Sequence, residues 1–173
     1  NVPESVRITG HIDVQTLRAS LQLVGQRHES LRTRFVKGSS GELQVVAETA
    51  SIPVRERDVW TGLAQETERW PRAPPGRYAA ALRQEAAREG LALVQEEEAA
   101  PFDLYQGPMI RVLVVHTGPR ECYMVLNAHH AITDGWSQEI VLSELWQAYA
   151  CLRGGSPVQL GEVSLQYTDY TAW

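Results

Sequence analysis

Two nearly unbroken apolar runs, Met109 to His116 and Cys122 to Ala128, constrain this chain more than anything else in it. Only Thr117-Gly118-Pro119-Arg120 separates them, so they read as a hairpin. Neither run alternates polar with apolar residues, which is the pattern of strands buried on both faces. A sheet with two buried faces needs helices on each side. The expected fold class is therefore mixed α/β (α+β), an open mixed sheet with flanking helices. At 173 residues the chain is one domain or one large lobe of a bigger one. No apolar run approaches the roughly 20 residues that span a bilayer, and the first residues lack the pattern of a signal peptide. A soluble, cytoplasmic protein with no membrane partner is expected.

The other segments fill in this scheme. Glu4 to Thr9 reads as a strand ended by Gly10, and Asp13 as the N-cap of a helix running to about His28 on Leu17, Leu21 and Val24. Leu31 to Val36 and Leu43 to Val46 read as a hairpin around the turn residues 37–41, and a further short strand is expected around Ile52 to Arg57. Pro71, Pro74, Pro75 and Gly76 argue for a surface loop over residues 61–78. Tyr78 to about Ala99 reads as a helix with Gly90 as its weak point and Glu96, Glu97 and Glu98 as a solvated face. A last amphipathic helix is expected from Ser137 to about Leu152, capped by Gly154 and Gly155. Cys122 and Cys151 have no ligand pattern near them and read as free thiols. With 16 basic against 21 acidic residues and no dense basic stripe, a nucleic-acid partner is not expected.

Chemistry concentrates in His129-His130-Ala131-Ile132-Thr133-Asp134-Gly135-Trp136-Ser137, between a buried strand and a helix. Adjacent residues leaving a strand point to opposite faces, so His129 and His130 are poorly placed to chelate one metal ion, and no metal is expected. His129 reads as a buried, hydrogen-bonded structural residue. His130 reads as a base, because imidazole exchanges its proton near neutral pH. Asp134 either orients that imidazole or forms a buried ion pair that fixes the loop. Gly135 leaves room for a substrate arm and frees a backbone N–H for a developing oxyanion. No Ser or Cys sits in a nucleophile-elbow context, so direct attack by an acceptor is the economical mechanism.

These nine residues resemble the HHxxxDGWS signature of nonribosomal peptide synthetase condensation domains. Arg27-His28-Glu29-Ser30-Leu31-Arg32-Thr33-Arg34-Phe35 is similar to that family's RHExLRTxF, and Pro101 to Arg111 resembles its PFDLxxGPLxR. Tyr167-Thr168-Asp169-Tyr170-Thr171-Ala172-Trp173 looks like YxDYxxW. Four such segments in one order exceed coincidence.

The resemblance implies a chloramphenicol-acetyltransferase-like fold of two lobes with a tunnel between them. Residues 1–173 would be the N-terminal lobe, with the C-terminal lobe absent from this chain. It implies an amide-forming acyltransferase. The acceptor's α-amine attacks the donor's thioester, and both substrates arrive on phosphopantetheine arms of peptidyl carrier proteins. The domain itself would bind no cofactor. Its partners would be the donor and acceptor carriers, the missing lobe and neighbouring synthetase domains. His130 would deprotonate or position the amine. Asp134 would be structural, paired with Arg32 or, failing that, Arg34. Trp136 and Ser137 become candidates for lining the tunnel. The lobe alone is expected to be inactive. The alternatives are an epimerisation-type relative and a non-catalytic platform that recruits carrier proteins or tailoring enzymes.

Overall fold

The computed structural model describes residues 1–39, 41–68 and 75–173. Strand β1 (Val2–Thr9) leads into helix α1 (Val14–Arg27), a 3₁₀ turn (Glu29–Arg32) and the hairpin of β2 (Thr33–Gly38) and β3 (Gly41–Val46). Then come β4 (Val54–Asp58), α2 (Val59–Glu68), α3 (Pro75–Ala99), β5 (Ile110–Gly118), β6 (Glu121–Ala128), α4 (Gly135–Arg153) and α5 (Tyr167–Ala172). The main sheet has the order β1-β6-β5-β4, with β2 and β3 forming a separate two-stranded sheet. β4 runs parallel to β5, while the β5–β6 and β6–β1 pairs are antiparallel, so the main sheet is mixed.

The two apolar runs do bury both faces, and the period of two sorts their side chains. Val112 and Val114 of β5, with Met124 and Leu126 of β6, join Leu17, Leu21 and Val24 of α1 and Val141 and Leu145 of α4 in one core. Leu113 and Val115 of β5, with Val125 of β6, face the other way onto Val59 of α2 and Ala86 and Val94 of α3. The result is three layers: α1 and α4, the sheet, then α2 and α3. Burying each of the larger side chains contributes about 1.5–3 kcal/mol. Among the described residues no helix is long and apolar enough to cross a membrane.

Several local expectations hold. Asp13 caps α1, its Oδ1 accepting the N–H groups of Gln15 and Thr16, and His28 ends it. Gly155 adopts a left-handed φ of 68° just past α4, a conformation that favours glycine. Both cysteines are free, and burial pushes the Cys122 thiol up to about 11.

Three expectations change. The loop anticipated over 61–78 is helical at both ends: α2 reaches Glu68 and α3 begins at Pro75. A proline suits the first helical turn, where its missing N–H has no intrahelical partner. The centre of that stretch, 69–74, lies outside the described residues, as does Ser40 in the β2–β3 turn. Gly90 is a close-packing site rather than a weak point, because a Cβ there would collide with Thr117 Cγ2 of β5. The acidic run 96–98 is not uniformly solvated. The Glu97 side chain is 1 % exposed and pairs with both Arg111 and Arg55.

Candidate functional site

The end of β6 is fixed first. His129 donates its backbone N–H to the Met109 carbonyl at 2.9 Å, extending the β5–β6 pairing one step past Ala128. The chain then turns sharply, with the Ile132 N–H returning to the His129 carbonyl at 3.1 Å. Ile132 and Thr133 are buried, and Ile132 belongs to the α1/α4 core. Sinking that isoleucine forces the turn's other side, His130 and Ala131, outward, and both are exposed.

The helix that follows is pinned as firmly. Asp134 is the N-cap of α4, its Oδ1 accepting the Ser137 N–H at 2.8 Å. Gln138, one turn in, is buried and donates from Nε2 to the Val2 carbonyl at 2.6 Å. Strand, turn and helix thus hold the exposed His130 at the end of the sheet.

The two histidines sit in different settings. His129 is half-buried: its Nδ1 accepts the Ala131 N–H at 3.0 Å, and its ring meets Phe102 edge to face at 6.2 Å. Burial lowers its affinity for a second proton. His130 instead lines a cavity of about 300 Å³ together with Asp134 and Ser137. Gly135 and Trp136 do not line it. A Cβ at Gly135 would meet no atom within 4 Å, and Trp136 is 76 % exposed.

The ion pair expected for Asp134 is absent from the described residues. Its carboxylate is committed locally: the Ser137 hydroxyl and N–H, with His130 nearby, hold it below the usual carboxylate range. Arg32 is engaged elsewhere, donating from Nη1 to the Ala47 carbonyl and lying 3.6 Å from Glu29 Oε1, while its buried Nε has no partner. Arg34 is exposed. A contact one helical turn away forms with less loss of chain entropy than one bridging two remote segments, and here the cap takes the carboxylate.

A pH dependence follows from that cap. Folding lowers the Asp134 pKa, so its stabilisation is present above the ordinary carboxylate range and is lost as the pH falls through the folded value. Asp134→Ala is expected to lower Tm at pH 7 and to narrow the difference from wild type under acid conditions. Asp134→Asn keeps an acceptor for Ser137 and should lose less at pH 7. Thermal melts of the three proteins at pH 7 and pH 3 check this, and an equal deficit at both pH values would contradict it.

Residues not singled out in the sequence complete the site. Ser30 in the 3₁₀ turn, Thr33 at the start of β2, Gln44 on β3, and Tyr167 and Thr168 on α5 also line the cavity. Four of these five belong to the RHExLRTxF-like and YxDYxxW-like segments. Phe102 of the third such segment packs on His129, and Arg111 stacks over Phe102 at 3.8 Å. All four segments therefore meet around one loop. That convergence was the signal that could have identified the lining residues.

A family model described as the condensation domain matches residues 1–173. A linear gramicidin synthase chain of Brevibacillus parabrevis is 35 % identical over 173 residues, covering all of this chain and 3 % of that protein. The X-domain from teicoplanin biosynthesis superposes with a TM-score of 0.76 at 23 % identity, over 99 % of this chain and 32 % of that one. The starter condensation domain of a rhizomide synthetase does so with a TM-score of 0.67 at 21 % identity, over 98 % of this chain and 37 % of that one. The chain thus spans a small part of its curated relative and about a third of each solved structure.

Proposed function

Because the chain belongs to the condensation-domain family, we propose that it is the N-terminal, His130-bearing lobe of a domain that joins two carrier-bound thioesters through an amide bond. Its relatives are nonribosomal peptide synthetases, and its fold is the chloramphenicol-acetyltransferase-like one. The carrying observation is the placement of His130: an exposed imidazole on a turn locked by Ile132, opening into the cavity it forms with Asp134 and Ser137.

The reaction needs little from the protein beyond position and one proton. The acceptor's α-amine attacks the donor thioester carbonyl, the C–N bond forms, and the C–S bond breaks. The amine's proton leaves and the departing thiolate gains one, so a single imidazole can hold it between the two events. Gly135 is the first residue of α4, so its N–H lacks an intrahelical partner and is free to meet negative charge. Asp134 acts on the loop by capping α4, not by an ion bridge. Both substrates arrive on phosphopantetheine arms of carrier proteins, and the domain holds no cofactor of its own. The second lobe supplies the facing wall of the tunnel.

The test is an intact domain built on this lobe and supplied with loaded donor and acceptor carriers. Mass spectrometry is expected to find the amide on the acceptor carrier, and none with residues 1–173 alone. No amide from the intact domain, with both carriers verified as loaded, would overturn the proposed reaction. Product from the isolated chain would overturn the need for a second lobe.

A further inference from the structure

Glu29 does not line the His130 cavity, yet it holds residues that do. We propose that it is a positioning residue that fixes the cavity wall formed by Thr33, Tyr167 and Thr168, an inference resting on the function proposed above. Three of its groups are used. Its backbone N–H donates to Gln166 Oε1 at 3.1 Å. Its carbonyl accepts the Thr33 hydroxyl at 2.8 Å. Its carboxylate accepts the Thr168 hydroxyl and lies 3.6 Å from the Arg32 guanidinium. Thr33 and Thr168 face the cavity from opposite ends of the sequence, and one residue ties them together.

The helix α5 depends on such ties. None of its residues is buried, and a helix of six residues is far too short to be stable by itself. Tyr167 and Tyr170 are 58 % and 66 % exposed. Its attachment to the lobe is polar: Thr168 to Glu29, Gln166 Oε1 from the Glu29 N–H, and Gln166 Nε2 to the Arg27 carbonyl at 3.0 Å. Just upstream, Arg27 also donates to the Gly161 carbonyl. The same arginine pairs with Glu144 of α4 at 3.1 Å, and His28 reaches that carboxylate at 2.7 Å. The Arg27–Glu29 corner is thus the anchor of the 161–173 segment, and within it Glu29 is the residue that holds the cavity wall.

A wall residue touches substrate before and during the reaction, so losing its placement weakens both states together and raises KM without changing kcat. In the intact domain, Glu29→Ala and Thr168→Val are each expected to raise the KM for one of the two carrier-bound substrates about tenfold with kcat nearly unchanged. The double variant should be no worse than Glu29→Ala alone, since that change already breaks the hydrogen bond that Thr168→Val removes. Glu29→Gln retains an acceptor oxygen for Thr168 and should recover part of the loss.

A second readout needs no catalysis. Chymotrypsin cleavage between Leu165 and Tyr170 should quicken about tenfold in both single variants of residues 1–173, while cleavage elsewhere keeps its rate. Unchanged cleavage in both variants overturns the proposal, whatever the activity. Faster cleavage with an unchanged KM, in a domain that His130→Ala still inactivates, overturns the link to the substrate and leaves the proposed reaction standing. If His130→Ala costs nothing, the role proposed for His130 falls, and faster local cleavage still supports the anchoring of α5.

Discussion

Replacing His130 with alanine in the intact domain is expected to slow amide formation by about 10²–10⁴-fold, the usual contribution of a positioned acid–base group. The protein should not notice otherwise. His130 is exposed, and surface changes away from caps and cores usually alter stability by less than about 0.5 kcal/mol. His129→Ala should show the reverse pattern at first order. It deletes the acceptor for the Ala131 N–H and the edge-to-face contact with Phe102, so Tm falls and the turn loosens. Thermal melts and single-turnover rates on both variants separate the two roles. Undiminished turnover in His130→Ala with both carriers docked would remove the acid–base role from His130 and leave positioning of the amine as the mechanism.

The largest structural effect is expected at Glu97. Its carboxylate is almost completely withdrawn from water and meets Arg111 on one oxygen and Arg55 on the other. Its backbone carbonyl accepts the Asn127 side chain at 2.6 Å, so the last turns of α3 are tied to both β5 and β6. Glu97→Ala leaves Arg111, only 15 % exposed, without a counter-charge, and removing one partner of a buried pair typically costs about 3–5 kcal/mol. Arg55→Ala should cost far less, because its side chain is half-exposed and water replaces much of the interaction. Urea unfolding followed by circular dichroism measures both. A Glu97→Ala loss no larger than that of Arg55→Ala would show that the cluster does not stabilise the lobe as described. The effect should also reach the site, since Arg111 stacks on Phe102 and Phe102 packs on His129.

Glu97 also shows where reading a sequence stops. Three consecutive glutamates at a helix end look alike, and only the phase of α3 against β5 decides that the middle one turns inward. Its partners lie on two different strands, which no local pattern connects. The Asp134 ion pair is missing among the described residues for a related reason: an N-cap needs only the next helical turn, whereas an arginine on a remote segment must be brought there by the rest of the fold. The apolar runs, the Asp13 cap and the strand–turn–helix around His130 were legible because each rests on short-range chemistry: periodicity, capping or turn geometry. Pro75 misled because a proline that breaks a helix interior also starts one well. Helix α5 was hidden by its length and by the lack of any apolar face directed at a core.

The pairing of β1 with β6 ties the beginning of the chain to a strand that follows more than half of its length. Hairpin β5–β6 is local and closes quickly, but the neighbour that β6 needs on its other side was made long before. During synthesis the first strand must therefore emerge and wait, its backbone hydrogen-bonding groups open to other chains, until the hairpin leading to His129 and His130 leaves the ribosome. Maturation of the sheet and placement of the His130 turn are then one late event, and a nascent chain stalled before Ala128 carries neither.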